Sequence, residues 1–169
     1  MEETNTYEEE LEFEYTSEWL QENTKIRGWL VLFLISAVVG SFRSIIDTMT
    51  FVLWTNEFFM FIPVFIIILF ALICVYAFNE RKSYAVFYAK SMLTLNVISN
   101  AFFLIFNQRA INVGSTVISL CVSLIWFLYL NNSEVVEEVI PSEFRNVSNK
   151  HYAVAIAGFT IMIIGLMLI

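Results

Sequence analysis

Histidine and aspartate each occur once in this chain, as His151 and Asp47, and cysteine and proline only twice each. A lone histidine supplies neither a zinc site nor a nucleophile–base triad, both of which need several partners in reach. Cys74 and Cys121 lie in different apolar stretches. They read as small packing residues, because a zinc or redox site needs clustered ligands. With five glycines there is no phosphate-binding glycine loop, and no HExxH motif occurs. The chain is therefore expected not to be an enzyme and to need no cofactor or metal. Basic residues are also scarce, nine against 16 acids, for a net charge of −7. Such a surface repels nucleic acid. Acids precede the first apolar stretch, unlike the basic opening of a cleavable signal peptide, so the first span is expected to be retained.

Long hydrophobic runs are what the chain has in excess. Apolar residues make up 59% of it and its mean hydropathy is +0.72, against about 45–50% apolar in soluble domains. Five runs stand out, near Gly28–Ile46, Phe58–Phe78, Tyr84–Phe106, Ala110–Leu130 and Tyr152–Ile169. Each approaches the roughly 20 residues a helix needs to cross a bilayer. The expected fold is all-α, a polytopic membrane helix bundle of five spans occupying residues 25–169. Residues 1–24 form an acidic head that carries nine of the 16 acids. Its charge density favours a flexible, solvated segment. The alternation of Glu10, Glu12 and Glu14 with Leu11, Phe13 and Tyr15 allows a second reading, a docking strand or helix for a basic partner.

Orientation follows from the basic residues. Lys25, Arg27, Arg81, Lys82, Arg145 and Lys150 fall on one side of the five-span plan, and Arg43 and Arg109 on the other. The excess places the N-terminus in the cytoplasm. Asn131-Asn132-Ser133 and Asn146-Val147-Ser148 match the glycosylation sequon, but this orientation keeps both in the cytoplasm. The acids Glu134, Glu137 and Glu138 read as a solvated patch there.

Three spans carry small residues at helical spacing, a pattern that lets helix backbones approach. They are Ser36, Gly40 and Ser44 in the first, Ser115, Ser119 and Ser123 in the fourth, and Ala153, Ala157 and Gly158 in the fifth. These stripes suggest that spans one, three, four and five pack together while the very apolar second span, kinked at Pro63, is more exposed. Phe51 to Trp54 read as an interfacial loop. Arg43, Asp47, Lys90, Asn96 and Asn100 are the polar candidates inside spans. Polar groups in lipid must face the bundle interior or a wet cavity. They either anchor helices and bond across them, or line a path for an ion or small solute. The leading expectation is an accessory, scaffolding or regulatory component acting through helix–helix contacts, with lipids and a membrane-protein partner or second copy around it. A small carrier or channel is the alternative.

Several segments carry a resemblance. Arg27-Gly28-Trp29-Leu30-Val31-Leu32 opens the first span. Phe78-Asn79-Glu80-Arg81-Lys82 forms a basic turn, and Arg109 precedes the fourth span. Ile125-Trp126, Tyr129, Ser133 and Val136 close that span. Together, over about residues 25–141, they resemble a family of small four-span bacterial inner-membrane proteins of unknown function typified by YdgK. The resemblance implies four family-like spans plus a fifth, in a bacterial inner membrane, and no particular activity. Glu134, Glu137 and Glu138 depart from the basic residues that the family tends to carry after the serine.

Overall fold

The computed structural model describes residues 26, 28–55, 58–106 and 113–168. The acidic head and its proposed docking role, and also Arg27 and Arg109, lie outside these residues. Among them the fold is an all-α bundle. The helices are α1 (Trp29–Thr55), α2 (Phe61–Asn79), α3 (Ala85–Phe106), α4 (Val113–Asn132), the short α5 (Glu134–Val139) and α6 (Asn149–Met167). All but α5 are long and apolar enough to cross a membrane.

Helix α1 runs further than the sequence suggests. Its 27 residues extend about 40 Å at roughly 1.5 Å per residue. The stretch read as an interfacial loop is its last turns. No glycine or proline interrupts residues 41–62, and Thr48 and Val52 are buried on its inner side. Pro63 stands nearer the helix start than expected. A 3-10 turn (Phe58–Met60) precedes α2, so Pro63 falls in the first α-helical turn, where its missing N–H has no intrahelical partner to lose.

Side-chain contacts show which helix ends meet. The ring of Trp29, opening α1, lies 6.4 Å from that of Trp126 near the end of α4. Tyr84, just before α3, stacks on His151 at the start of α6, with ring centroids 4.0 Å apart. Ile62 and Pro63 at the start of α2 face Gly165 near the end of α6. Consecutive long helices therefore alternate in direction. We call the Trp29 end the near end and the opposite one the far end.

Helix α2 is the hub. It packs on α1, α3 and α6, with Ile66, Phe70, Ala71, Cys74, Ala77 and Phe78 buried along it. This reverses the expectation that span two is the exposed one. Lipid is as apolar as leucine, so hydrophobicity does not tell a lipid-facing helix from a central one, and shape decides. The shape is set by Ala71, Cys74 and Ala77 on α2 and by Gly158 and Gly165 on α6. A Cβ at Gly158 would come within 2.6 Å of the Phe70 ring. Of the small residues expected to pack on this span, Gly158 is buried, whereas Ala153 and Ala157 lie on its exposed face. The face that α6 buries is Ala155, Gly158, Met162, Gly165 and Leu166.

The near end is capped. After α4, Ser133 caps α5 by accepting a hydrogen bond from the Val136 N–H. Val136, Val139 and Ile140 are then fully buried in the core. Glu137 belongs to this cap and not to a merely solvated patch. Its carboxylate accepts hydrogen bonds from the Ser142 N–H and hydroxyl, each at 2.6 Å, and from Arg145 Nη2 at 2.7 Å. Arg145 Nε also donates to the Ile140 carbonyl, 2.9 Å away. The turn between α2 and α3 closes by a Lys82 N–H to Ala77 carbonyl bond of 2.8 Å, with Arg81 in the left-handed region at φ 49°.

The hydrogen bonds from Ser142, followed by the charge of Arg145, hold the Glu137 carboxyl below the usual glutamate range. A depressed acid stabilises the folded form above its unfolded pKa, and that contribution is lost as pH falls through the folded pKa. Protection of the Ser142–Arg145 amides, meaning exchange relative to the intrinsic rate at each pH, should therefore hold at neutral pH and be lost only in acid, below the ordinary glutamate pKa of about 4.3. Protection that is unchanged on acidification would remove Glu137 from this role.

Candidate intramembrane polar cavity

Helices α1 and α4 meet through rings at the near end. Trp126 packs on Phe33 at 5.4 Å and on Trp29 at 6.4 Å. Beyond those rings lies a cavity of about 710 Å³ between α1, the start of α2, α3 and α4. Phe33 and Trp126 line its near-end limit, and Phe51 and Met60 lie towards the far end. Its walls also include Ile118 and Val122, which are exposed on the bundle surface. The cavity thus opens sideways as well as having depth.

Its polar lining comes from three helices. On α1, Ser36, Ser41, Ser44 and Thr50 face it, and their hydroxyls donate to carbonyls one turn back at 2.7–2.9 Å. Such back-bonding satisfies a hydroxyl donor within its own helix and leaves its lone pairs available. Gly40 lies in the same wall, and a Cβ there would meet nothing within 4 Å. Gly40 therefore faces open space, and the half-buried Ser36 and Ser44 line the same cavity.

On the opposite wall the amides of α3 hold α4. Asn96 Nδ2 donates to Ser123 Oγ at 2.8 Å. Asn100 Nδ2 donates to Asn96 Oδ1 at 2.8 Å and to Ser119 Oγ at 3.3 Å. Ser119 and Ser123 are thus both packing residues and hydrogen-bond partners, with Ser115 one turn further towards the far end of the same wall. Interhelical bonds of this kind contribute about 0.6–2 kcal/mol each in membranes. Asn96→Val removes the bonds to Ser123 and from Asn100 and should lower stability in detergent by at least the amount of one, and the loss should be non-additive with Ser123→Ala, since the two share the Asn96–Ser123 bond. A fully additive double mutant would show that the pair does not couple.

Arg43 and Asp47 complete the lining. Arg43 Nε lies 3.5 Å from Asp47 Oδ2, and both side chains are about 70% exposed. Arg43 is fourteen residues past Trp29, about 21 Å along the axis at roughly 1.5 Å per residue. With α1 continuing to Thr55, the pair sits within the helix body rather than at its end. Lys90 does not join this set. It is half-buried on α3, about a turn and a half from the near end, and lines no part of the cavity.

Sequence reasoning missed Ser41, Thr48 and Thr116, which also line the space. A signal was present for two of them. Ser41, Ser44 and Thr48 recur at i, i+3 and i+7, which is one face of a helix. Thr116 is buried, and nothing in its local sequence marks it. Ser99, which lies beside Asn96 and Asn100 on the face expected to point inward, is buried and lines the space as well. Elsewhere, His151 Nδ1 and Tyr88 Oη lie 3.1 Å apart at the near end. Among the described residues no three His, Cys, Asp or Glu side chains come together as a metal site.

The five long apolar helices define a polytopic α-helical membrane protein. No family model matches the sequence, and neither a curated protein nor a solved structure matches it significantly.

Proposed function

We propose that this chain is a non-enzymatic multi-pass membrane protein that binds a small polar solute within the bilayer, as a carrier or receptor. The observation that carries this reading is the cavity, which gathers Arg43, Asp47, Asn96 and Asn100 from two helices into one otherwise largely apolar space. Its size falls within the roughly 300–1,000 Å³ of small-molecule sites. Ionisable groups inside spans mark substrate and ion paths more often than chance packing would. The basic residues Arg81, Lys82, Arg145 and Lys150 cluster at the near end, which supports placing that end and the N-terminus in the cytoplasm. The YdgK-like segments support a bacterial inner membrane. On that orientation the aromatic contacts of Trp29, Phe33 and Trp126 close the cavity on the cytoplasmic side.

A second reading, the accessory component, is favoured by one observation. Gly40, in the middle of the Ser36, Gly40 and Ser44 stripe, faces open space, and such a stripe suits a partner's helix or a second copy.

One experiment separates the two. Single cysteines at Ser36, Ser44 and Ser119, in a chain with Cys74 and Cys121 replaced, are treated in native membranes with an impermeant methanethiosulfonate. Solute binding predicts labelling at all three, well above a lipid-facing cysteine at Ile163. Protection at all three, with crosslinking to another chain, would overturn it in favour of the accessory role.

A further inference from the structure

We propose that the cavity takes a zwitterion, with its oxyanion on the Arg43 guanidinium and its ammonium on the Asp47 carboxylate. This rests on reading the cavity as a ligand site. Among the described residues, Arg43 and Asp47 are the charged members of the lining, one of each sign, and the other described lining side chains are neutral. A ligand of one charge would be attracted by one and repelled by the other. A molecule carrying both signs close together is attracted by both.

The pair is also loosely made. Its one close contact is 3.5 Å with both side chains largely exposed, whereas charge-assisted pairs close to about 2.7–2.9 Å. Arg145 and Glu137 in the near-end cap show the closed form in the same chain, at 2.7 Å with Ser142 and the Ile140 carbonyl completing the shell. Guanidinium carries five N–H donors and a carboxylate about four lone-pair sites. A single 3.5 Å contact leaves most of that capacity facing the cavity. The i, i+4 spacing holds the two side chains as neighbours on one helix face, which matches an ammonium and an oxyanion on one small molecule. The hydroxyls of Ser41 and Ser44, whose protons are held by carbonyls one turn back, line the same space from the same helix and keep lone pairs to accept from an ammonium.

That chemistry has two sources. A free amino-acid-like solute would enter from the aqueous side. An ethanolamine-type lipid headgroup would enter through the sideways opening at Ile118 and Val122.

The test uses the full chain in phosphatidylglycerol nanodiscs. Equilibrium dialysis measures glycine and phosphoethanolamine, with acetate and ethylamine as single-charge comparators. Native mass spectrometry measures retention of added phosphatidylethanolamine against phosphatidylglycerol. We expect saturable binding of a zwitterion, with each single-charge comparator at least about tenfold weaker, as loss of one charge-assisted bond implies. Arg43→Gln and Asp47→Asn should each weaken it about tenfold. Binding of the soluble zwitterions alone identifies a free solute, and retention of phosphatidylethanolamine alone identifies a headgroup. The comparators act on the unmodified chain, so the result does not depend on the variants folding. Equal binding of a single-charge comparator, or no zwitterion binding in either arm, overturns the proposal. If the cavity cysteines label while no zwitterion binds, this assignment fails and the polar-solute reading stands. If the cysteines are protected, both fail.

Discussion

Gly158→Leu is expected to cost at least about 2 kcal/mol of stability, as overpacking of a close-packed contact does. A Cβ at this position would lie 2.6 and 2.8 Å from two carbons of the Phe70 ring. That ring is buried at 1% exposure and packs edge-on to Tyr88 at 5.6 Å. It has nowhere to retreat without disturbing α3. Gly165 repeats the arrangement against Ile62 and Pro63. Gly40→Ala supplies the control. Its Cβ meets nothing within 4 Å, so it should be neutral or stabilise by up to about 1 kcal/mol through helix propensity. Unfolding midpoints in detergent check both. If the two variants behaved alike, the α2–α6 contact would not be the tight joint described here. Phe70→Ala should partly rescue Gly158→Leu by opening room for it, which tests the contact itself rather than glycine's backbone freedom.

Ile140→Asp should detach the near-end cap, at about 3–5 kcal/mol, because it would leave an unpaired carboxylate in an apolar interior. Ile140 is fully buried beside Val136 and Val139, and the neighbouring cation, Arg145, is already held by Glu137 and the Ile140 carbonyl. The expected readout is rapid proteolysis within residues 134–146 while the long helices remain folded by circular dichroism. Resistance equal to that of the unmodified chain would mean that the segment is not anchored by these three side chains.

The division between sequence and tertiary structure can be traced in individual helices. Spans two to five were legible almost to their ends, because each is a run of apolar residues bounded by polar or turn residues. Span one was legible only in its first two thirds. The charges of Arg43 and Asp47 lowered its apolar signal, although an i, i+4 ion pair is compatible with helix and nothing after it breaks one. The asparagine ladder was visible on one face of span three. That it holds Ser119 and Ser123 was not visible, since the serines read equally well as a bare small-residue stripe.

The residues themselves determined the solvent of this protein and the number of times the chain can cross it, because bilayer thickness imposes a length and an apolarity on every crossing. Which helix stands at the centre, which small residues touch and which face a polar opening were settled only by the packed bundle. Among helices that are all apolar, burial provides no contrast. Close approach at Gly158 and Gly165, and the separation of α1 from α4 beyond Trp126, depend on shapes that no single helix contains.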